Sequence, residues 1–514
     1  MTDSQKLTRL DVIAAISLAN LFLLEVWRKL IFVTKFFVPY WSWRDLISAA
    51  LLVCIFSTVF ILIIACSRHS RFHHLMLHRF LYLAPLALIL NFARRHELVN
   101  IRVDLGDARL LLMGSGLAIL LTAAFLRWHQ RVLRVAEVLV IGLIGFAPVT
   151  FGQAVRATLF SPPAYELAAF LPDRPAHAPR VVWIIFDEMD WRYSYGPRRA
   201  STFSMPAFDR LKSESFYGAT AHQAGLNTIT AMPSLITGET VYRSTAQSYD
   251  SLMLQFQFGE GGRETDFKDT ETIFSSARNA GVNVGVVGWY LPYCRIFSTV
   301  LSECMWESLN TVVRGTEPNL RTSFTSQLRT LSPAETRQRH IVRYSDMMSR
   351  AKMMIVDPRL GLILLHMPVP HGPLMYDRVR GELAAFTFSR NWYLDNLALT
   401  DRALGELRQS LEDAGMWDTT TILVSADHAM RRYSNINETM DSRVPFLLKM
   451  AGQRAEFEYT APFHALITHD LILTILEGKL TQPQQVADWI STRERRHPSM
   501  TQTAQAVRSS SPSD

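Results

Sequence analysis

Residues Val181–Glu188 read VVWIIFDE, six apolar residues followed by two carboxylates. A run this short, with no polar alternation and four β-branched residues, suits a strand buried on both faces in the middle of a parallel sheet. Val282–Val287, Leu362–Leu365, Thr421–Ser425 and Val444–Leu448 have the same character. Helical patterns separate them. The clearest is Tyr393–Ala414, which sets Leu394, Leu397, Leu404, Leu407 and Leu411 on one stripe, with Asp395 and Asp401 expected on the solvated side and Gly415 as a stop. Strand–helix alternation predicts a three-layer α/β/α domain that binds its ligand at the carboxyl ends of the strands.

Three of these strands run directly into metal-capable residues. Asp187 and Glu188 end the first, His366 ends LILL with His371 following in HMPVPHGP, and Asp427 and His428 end TILVSA. Singly, such an Asp is more often a helix cap and such a His structural. Together, at one sheet edge, they offer oxygen and imidazole ligands to a divalent cation, with no Cys involved. Between them Gly225–Gly238 reads GLNTITAMPSLITG. Thr228 or Thr230 is a candidate nucleophile there, because a bound cation lowers a hydroxyl pKa without a histidine base. Taken alone, a Thr in this place is a cap or turn residue. Trp289, Tyr290 and Tyr293 in GWYLPYC could wall the substrate pocket, with aromatic core packing the better reading, and His464 and His469 read as structural.

The rest of the chain differs in composition. Its 514 residues suffice for two or three domains, and 48% hydrophobic against 19% charged residues places part of it in lipid. That composition excludes a disordered chain, and four Cys exclude a disulfide scaffold. Residues 1–160 carry 17 Lys/Arg and 8 Asp/Glu, while the remainder carries 36 and 38. A basic excess confined to segments beside apolar runs fits anionic lipid headgroups and offers nucleic acid no basic surface. The apolar runs Leu10–Trp27, Leu46–Cys66, Phe80–Phe92, Leu110–Leu126 and Val135–Phe151 predict a membrane domain of about five spans. Five spans from a cytoplasmic N-terminus put the C-terminal domain outside and four put it inside; the loop arginines do not decide. Cys294 and Cys304 are close enough to pair in an oxidising compartment, or to stay as two reduced packing thiols. The expected division is a transmembrane domain over 1–152, a Pro/Ala-rich linker over 153–179, an α/β domain over 180–480 and a polar, disordered tail over 481–514.

From about Arg180 to Met450 the sequence resembles the alkaline phosphatase superfamily, in the branch of sulfatases, phosphoethanolamine transferases, lipoteichoic acid synthases and phosphoglycerol transferases. VVWIIFDE resembles the branch's first strand and metal ligand, MPAFDRLKSES its TPNLDRLA stretch, and TITAMPSLITG its nucleophile segment. LHMPVPHGPLMY is similar to the phosphoethanolamine-transferase stretch with two His before Gly-Pro, and WDTTTILVSADH to the stretch supplying two metal ligands. The resemblance implies Thr228 as nucleophile, His371 in proton transfer, and one divalent ion (Mn, Zn, Mg or Ca) on Asp187, Glu188, Asp427 and His428. It also implies His366 at the substrate. The chain departs from the branch in two places. Ala429 replaces the Gly of DHG, and no His lies between Ala429 and Arg443, which favours one metal, with Arg431, Arg432 or Arg443 supplying positive charge. Formylglycine chemistry is not expected, since positions 228, 230 and 232 are Thr, Thr and Met.

The resemblance therefore implies a multi-pass enzyme of a bacterial-type inner membrane, its catalytic domain facing the periplasm. It would move a phosphoethanolamine- or phosphoglycerol-type headgroup from a phospholipid donor in the bilayer to a glycan or lipid hydroxyl. A sulfatase-like hydrolase of phosphate or sulfate esters is the alternative, and a catalytically silent membrane scaffold the lesser one.

Overall fold

The computed structural model describes residues 7–24, 26–27, 35–37, 43–67, 131, 134–159, 165–172, 175, 177–196, 203–256, 262–308, 319–329, 333–385, 392–430 and 441–496. They fall into two compact units, one of Met1–Val33, Pro39–Pro162 and Asn310–Ser332, the other of Thr34–Val38, Pro163–Leu309 and Pro333–Asp514.

In the first unit, Trp43–Cys66 and Arg134–Arg156 are long and apolar enough to cross a bilayer. The helix Arg9–Phe22 has 14 residues, short of the ~20 that a span needs. It starts on a capping box in which Thr8 and Asp11 each bond the other's backbone N–H. Phe80–Phe92 and Leu110–Leu126 lie outside the described residues, so of the five expected spans two are present as candidates. The helix Leu320–Arg329 belongs to this unit and not, as expected, to the 180–480 domain. The reason is the buried Asp45, whose carboxylate accepts from Ser323 Oγ at 2.6 Å and whose carbonyl accepts from Gln327 Nε2 at 2.8 Å.

The second unit is built on an eight-stranded sheet. In chain order its strands are β1 (Val181–Phe186), β2 (Phe216–Gly218), β3 (Val284–Trp289), β4 (Glu303–Glu307), β5 (Leu362–Met367), β6 (Thr421–Ala426), β7 (Phe446–Lys449) and β8 (Phe457–Tyr459). Across the sheet the order is β8-β2-β7-β6-β1-β5-β3-β4. β6, β1, β5, β3 and β4 are mutually parallel, so their carboxyl ends share one edge. Every residue of β1, β3, β5 and β6 is buried, as continuous apolar runs require. One helical layer holds Thr228–Thr237, Ile273–Asn279 and Thr468–Leu476, and the other holds Pro206–Lys212, Pro333–Ile355 and Trp392–Asp413. A three-layer α/β/α domain is what the alternation predicted.

The boundaries shift where side chains outside the apolar runs carry structure. Phe36 is fully buried in this unit's core and Phe37 packs on Tyr290, so Thr34–Val38 leaves the expected 1–152 domain. The expected linker 153–179 is helical through Leu159 and docked at Leu171, whose N–H and C=O both bond the Asn283 side chain. The expected tail from 481 opens instead with a helix, Pro483–Arg496, that buries Val486, Ala487 and Ile490. Its stripe is two turns long, too short to stand out in polar sequence. Asp395 and Asp401 are buried, not solvated: Asp395 pairs with Arg378 at 2.9 Å, and Asp401 accepts from Phe208 N at 3.0 Å. Cys294 and Cys304 are bonded as a disulfide.

Candidate active site

The segment GLNTITAMPSLITG forms the helix Thr228–Thr237. Asn227 caps it, its Oδ1 accepting from Thr230 N at 3.1 Å, and Gly238 ends it at φ +73°, a left-handed turn that suits Gly. Pro233 donates no hydrogen bond inside the helix, and Ser244 Oγ takes the Ile229 carbonyl at 2.7 Å. Thr230 Oγ1 is committed to this cap, bonding Asn227 O and Oδ1. Thr228 is the first helical residue. Its Oγ1 lies 3.4 Å from Asp187 Oδ1 and 3.3 Å from His428 Nε2, at the positive end of the helix dipole. Of the two candidate threonines, Thr228 meets the carboxyl edge of the sheet and Thr230 holds the helix start.

Asp187, Asp427 and His428 are buried, and one ligand atom from each lies within 4.8 Å of the others. Their remaining atoms are held from behind. Asp427 Oδ1 accepts two backbone N–H groups, Glu188 at 3.1 Å and His428 at 2.8 Å, leaving Oδ2 buried with no hydrogen bond among the described residues and 3.4 Å from His428 Nε2. His428 Nδ1 meets the Ala429 carbonyl at 2.9 Å, which fixes the tautomer with a bare Nε2. Asp187 Oδ2 accepts from Trp289 Nε1 at 2.7 Å, both side chains being buried. Burial pushes Asp427 up, but His428, His366 and the Glu188 N–H outweigh it and hold the carboxyl below its usual range. A carboxylate oxygen that accepts no hydrogen bond, a bare imidazole nitrogen and a second carboxylate, each braced by an outer hydrogen bond, suit a divalent cation that takes mixed O/N ligands.

Glu188 stands outside this group, against expectation. Its backbone is left-handed at φ +62°, and it acts through its main chain: the N–H holds Asp427 and the C=O accepts from Tyr393 Oη at 2.8 Å. A non-Gly residue in that region is strained and persists only where its surroundings impose it.

His371 is placed by backbone. Its N–H donates to Asp187 O at 3.1 Å, and its Nδ1 meets Gly372 O at 2.6 Å. Asn396 Nδ2 reaches the carbonyls of Pro370, His371 and Pro373 and so fixes the loop. The ring is half-buried; burial lowers its pKa, against the raising effect of Glu188. His366 is fully buried, with Nδ1 2.9 Å from Tyr293 Oη. Arg443 is committed elsewhere, pairing with Asp441 at 2.7 Å and lying 3.5 Å over the Trp191 ring. Arg431 and Arg432 lie outside the described residues. Sequence reasoning missed Trp289, Asn396 and Gln223, whose Oε1 accepts from Ala429 N at 2.8 Å. Only the position of Trp289 at the end of an apolar strand marked any of them.

A family model described as type I phosphodiesterase / nucleotide pyrophosphatase matches residues 181–452, just over half of the chain. No curated protein matches. Among solved structures, the chain is similar to a phosphonate monoester hydrolase of Agrobacterium radiobacter at 15% identity and TM-score 0.39, over 59% of this chain and 78% of that one. It is similar to the lipoteichoic acid synthase LtaP from Listeria monocytogenes at 13% identity and TM-score 0.39, over 60% and 75%. Likenesses of this degree carry nothing further.

Proposed function

Since the chain belongs to the type I phosphodiesterase / nucleotide pyrophosphatase family, in the alkaline phosphatase superfamily, we propose that it cleaves phosphodiesters through a covalent phosphothreonine on Thr228. The donor we assign is a phospholipid of the bilayer, whose phosphoethanolamine- or phosphoglycerol-type headgroup passes to a glycan or lipid hydroxyl on the periplasmic side. The observation that carries the reading is Thr228 Oγ1 at a helix start, 3.3–3.4 Å from two members of the Asp187, Asp427 and His428 group. The two candidate spans support the lipid donor.

Asp187, Asp427 and His428 would hold one divalent cation. When bound it would lower the Thr228 hydroxyl pKa and neutralise charge on the phosphoryl oxygens. Thr228 Oγ1 then attacks phosphorus as the bond to the diacylglycerol oxygen breaks, leaving the headgroup phosphate on Thr228. His371, kept neutral by burial, takes the Thr228 hydroxyl proton and passes it to that leaving oxygen. In the second half-reaction His371 takes the proton of the acceptor hydroxyl, which attacks phosphorus and frees Thr228. The helix Thr228–Thr237 supports the charge on the oxyanion with its N-terminal dipole. The family match also favours a second reading, hydrolysis, in which water replaces the acceptor hydroxyl.

Intact-mass analysis of the detergent-purified protein with phosphatidylethanolamine or phosphatidylglycerol and Mn²⁺ or Zn²⁺ tests this. A headgroup-phosphate adduct in the wild type, absent from Thr228→Ala, is expected. An adduct retained by Thr228→Ala would overturn the assignment. Turnover with both lipids that yields only free headgroup phosphate would transfer the reading to the hydrolase.

A further inference from the structure

Lys35–Phe37 forms a single tight turn, and Thr34–Val38 around it belongs to the second unit although Val33 and Pro39 on either side belong to the first. Phe36 is fully buried in the core of that second unit. Phe37 is half-buried, stands edge-on to the Phe36 ring at 5.0 Å between centroids, and lies 5.0 Å from the Tyr290 ring. Its carbonyl accepts from the Oγ of the buried Ser308. Tyr290 directly follows β3 and Ser308 directly follows β4, and these strands are parallel neighbours. Both contacts of Phe37 therefore fall at the carboxyl edge of the sheet, the edge that carries Asp187 and Asp427.

Tyr290 has a left-handed backbone at φ +69°, as only Glu188 does among the other described residues that are not Gly. Leu291 N–H donates to Trp289 O at 2.8 Å, so Tyr290 is the centre of a three-residue turn of the strained, positive-φ form. A bulky side chain stays in that region only where its surroundings hold it there. On the backbone side, Tyr290 N–H donates to Glu307 O at 3.1 Å, one residue past the register pair of Trp289 and Glu307. On the side-chain side, the ring packs on Phe37. Trp289 opens the turn. From the end of β3 it reaches past β5 to give Nε1–H to Asp187 Oδ2 at 2.7 Å. The other oxygen of that carboxylate is the one 3.4 Å from Thr228 Oγ1. A relaxed turn would shift the Trp289 main chain, and the indole with it.

We infer that Phe37 is a positioning residue for the metal group: it holds Tyr290 in the strained turn and so aims Trp289 at Asp187. Resting on the reading of Asp187, Asp427 and His428 as a cation site, this makes the cation affinity of the second unit depend on a residue supplied by the N-terminal third of the sequence.

The test is Mn²⁺ affinity of the full-length, detergent-purified protein by calorimetry, beside urea unfolding of the metal-free protein and turnover of bis(4-nitrophenyl) phosphate. Phe37→Ala should weaken Mn²⁺ binding by about three- to tenfold, at the low end of the range for outer partners of metal ligands because it acts through one. Phe37→Tyr keeps the ring and should keep the affinity. In a Trp289→Phe background Phe37→Ala should cost no further affinity, since the path it acts through is already cut. Tyr290→Gly and Tyr290→Ala both delete the ring, but Gly adopts a positive φ freely and Ala does not, so Tyr290→Gly should bind Mn²⁺ more tightly than Tyr290→Ala. Unchanged affinity in Phe37→Ala overturns the inference, as does Phe37→Tyr no better than Phe37→Ala, or a Phe37→Ala loss that adds in full to that of Trp289→Phe. Tyr290→Gly no better than Tyr290→Ala also overturns it, and that pair decides alone if Phe37→Ala does not fold. A wild type that binds neither Mn²⁺ nor Zn²⁺ sinks the cation site and the inference together, and one that binds Mn²⁺ but turns over no diester sinks the proposed function alone.

Discussion

Replacing Trp289 with Phe removes one hydrogen bond, the 2.7 Å donation from Nε1 to Asp187 Oδ2, and keeps an aromatic ring in the core. A hydrogen bond to a buried ionised group contributes about 1.5–3 kcal/mol, and outer partners of metal ligands typically change affinity about 10–100-fold. Two effects oppose each other. Without the indole, Oδ2 carries more charge, which favours a cation. Without it Asp187 also loses one restraint on its orientation toward Thr228 and His428, which disfavours one. Asp187 is 1% exposed, and water cannot readily replace the lost donor, so orientation should dominate. The expected result is Mn²⁺ affinity weakened by about tenfold or more in calorimetry, which at saturating metal removes about 1.4 kcal/mol of metal-induced stabilisation. Urea unfolding of the metal-free proteins separates this from packing loss, because a packing loss is present without metal. Equal Mn²⁺ affinity in Trp289→Phe and wild type would refute the reasoning and return Trp289 to the core.

The same geometry sets four further expectations. Thr228→Ser should keep a phosphoryl adduct by intact mass, while Thr228→Ala should form none and lose at least about 10³-fold in turnover, the scale for a missing covalent nucleophile. His371→Ala should slow esters with poor alkoxide leaving groups by about 10²–10⁴-fold and 4-nitrophenyl esters far less, since only the former need a proton; equal slowing would remove His371 from that role. Asn396→Leu should raise KM and lower kcat in steady-state assays with the disulfide intact, because three carbonyls of the His371 loop lose their donor. His464 has its pKa lowered by burial to about 4. Its folded value lies below the unfolded one, so its contribution is complete above about pH 6.5 and is lost as pH falls toward 4. Urea midpoints measured across that window should fall less steeply in His464→Gln than in the wild type.

Legibility in the sequence followed the chemistry of each residue. Asp187, Asp427 and His428 stood out because metal-capable residues directly after apolar strands converge at one edge of a parallel sheet. Thr228 was one of two candidates until the cap placed Thr230 against Asn227. Trp289 and Tyr293 were placed in the core over a pocket wall, because an indole or phenol after an apolar strand is ordinarily core, whereas a single polar atom of each bonds Asp187 and His366. The main-chain role of Glu188 could not be read, because its left-handed backbone, whose N–H braces Asp427, leaves no mark in side-chain type. Arg443 misled because charge near the motif says nothing of its partner, here Asp441.

By itself the sequence determined the layers, through continuous apolar runs that only a covered parallel sheet can bury, and the chemical class of the edge, through the carboxylates and imidazoles placed directly after those runs. These are short-range properties of hydrophobic period and side-chain type. Tertiary structure alone decided which second groups hold the first ones, from Trp289 on Asp187 to Tyr293 on His366 and Asn396 on the His371 loop. Those pairings join residues 102, 73 and 25 positions apart. They depend on strand order and on register, neither of which is encoded in the neighbourhood of either partner.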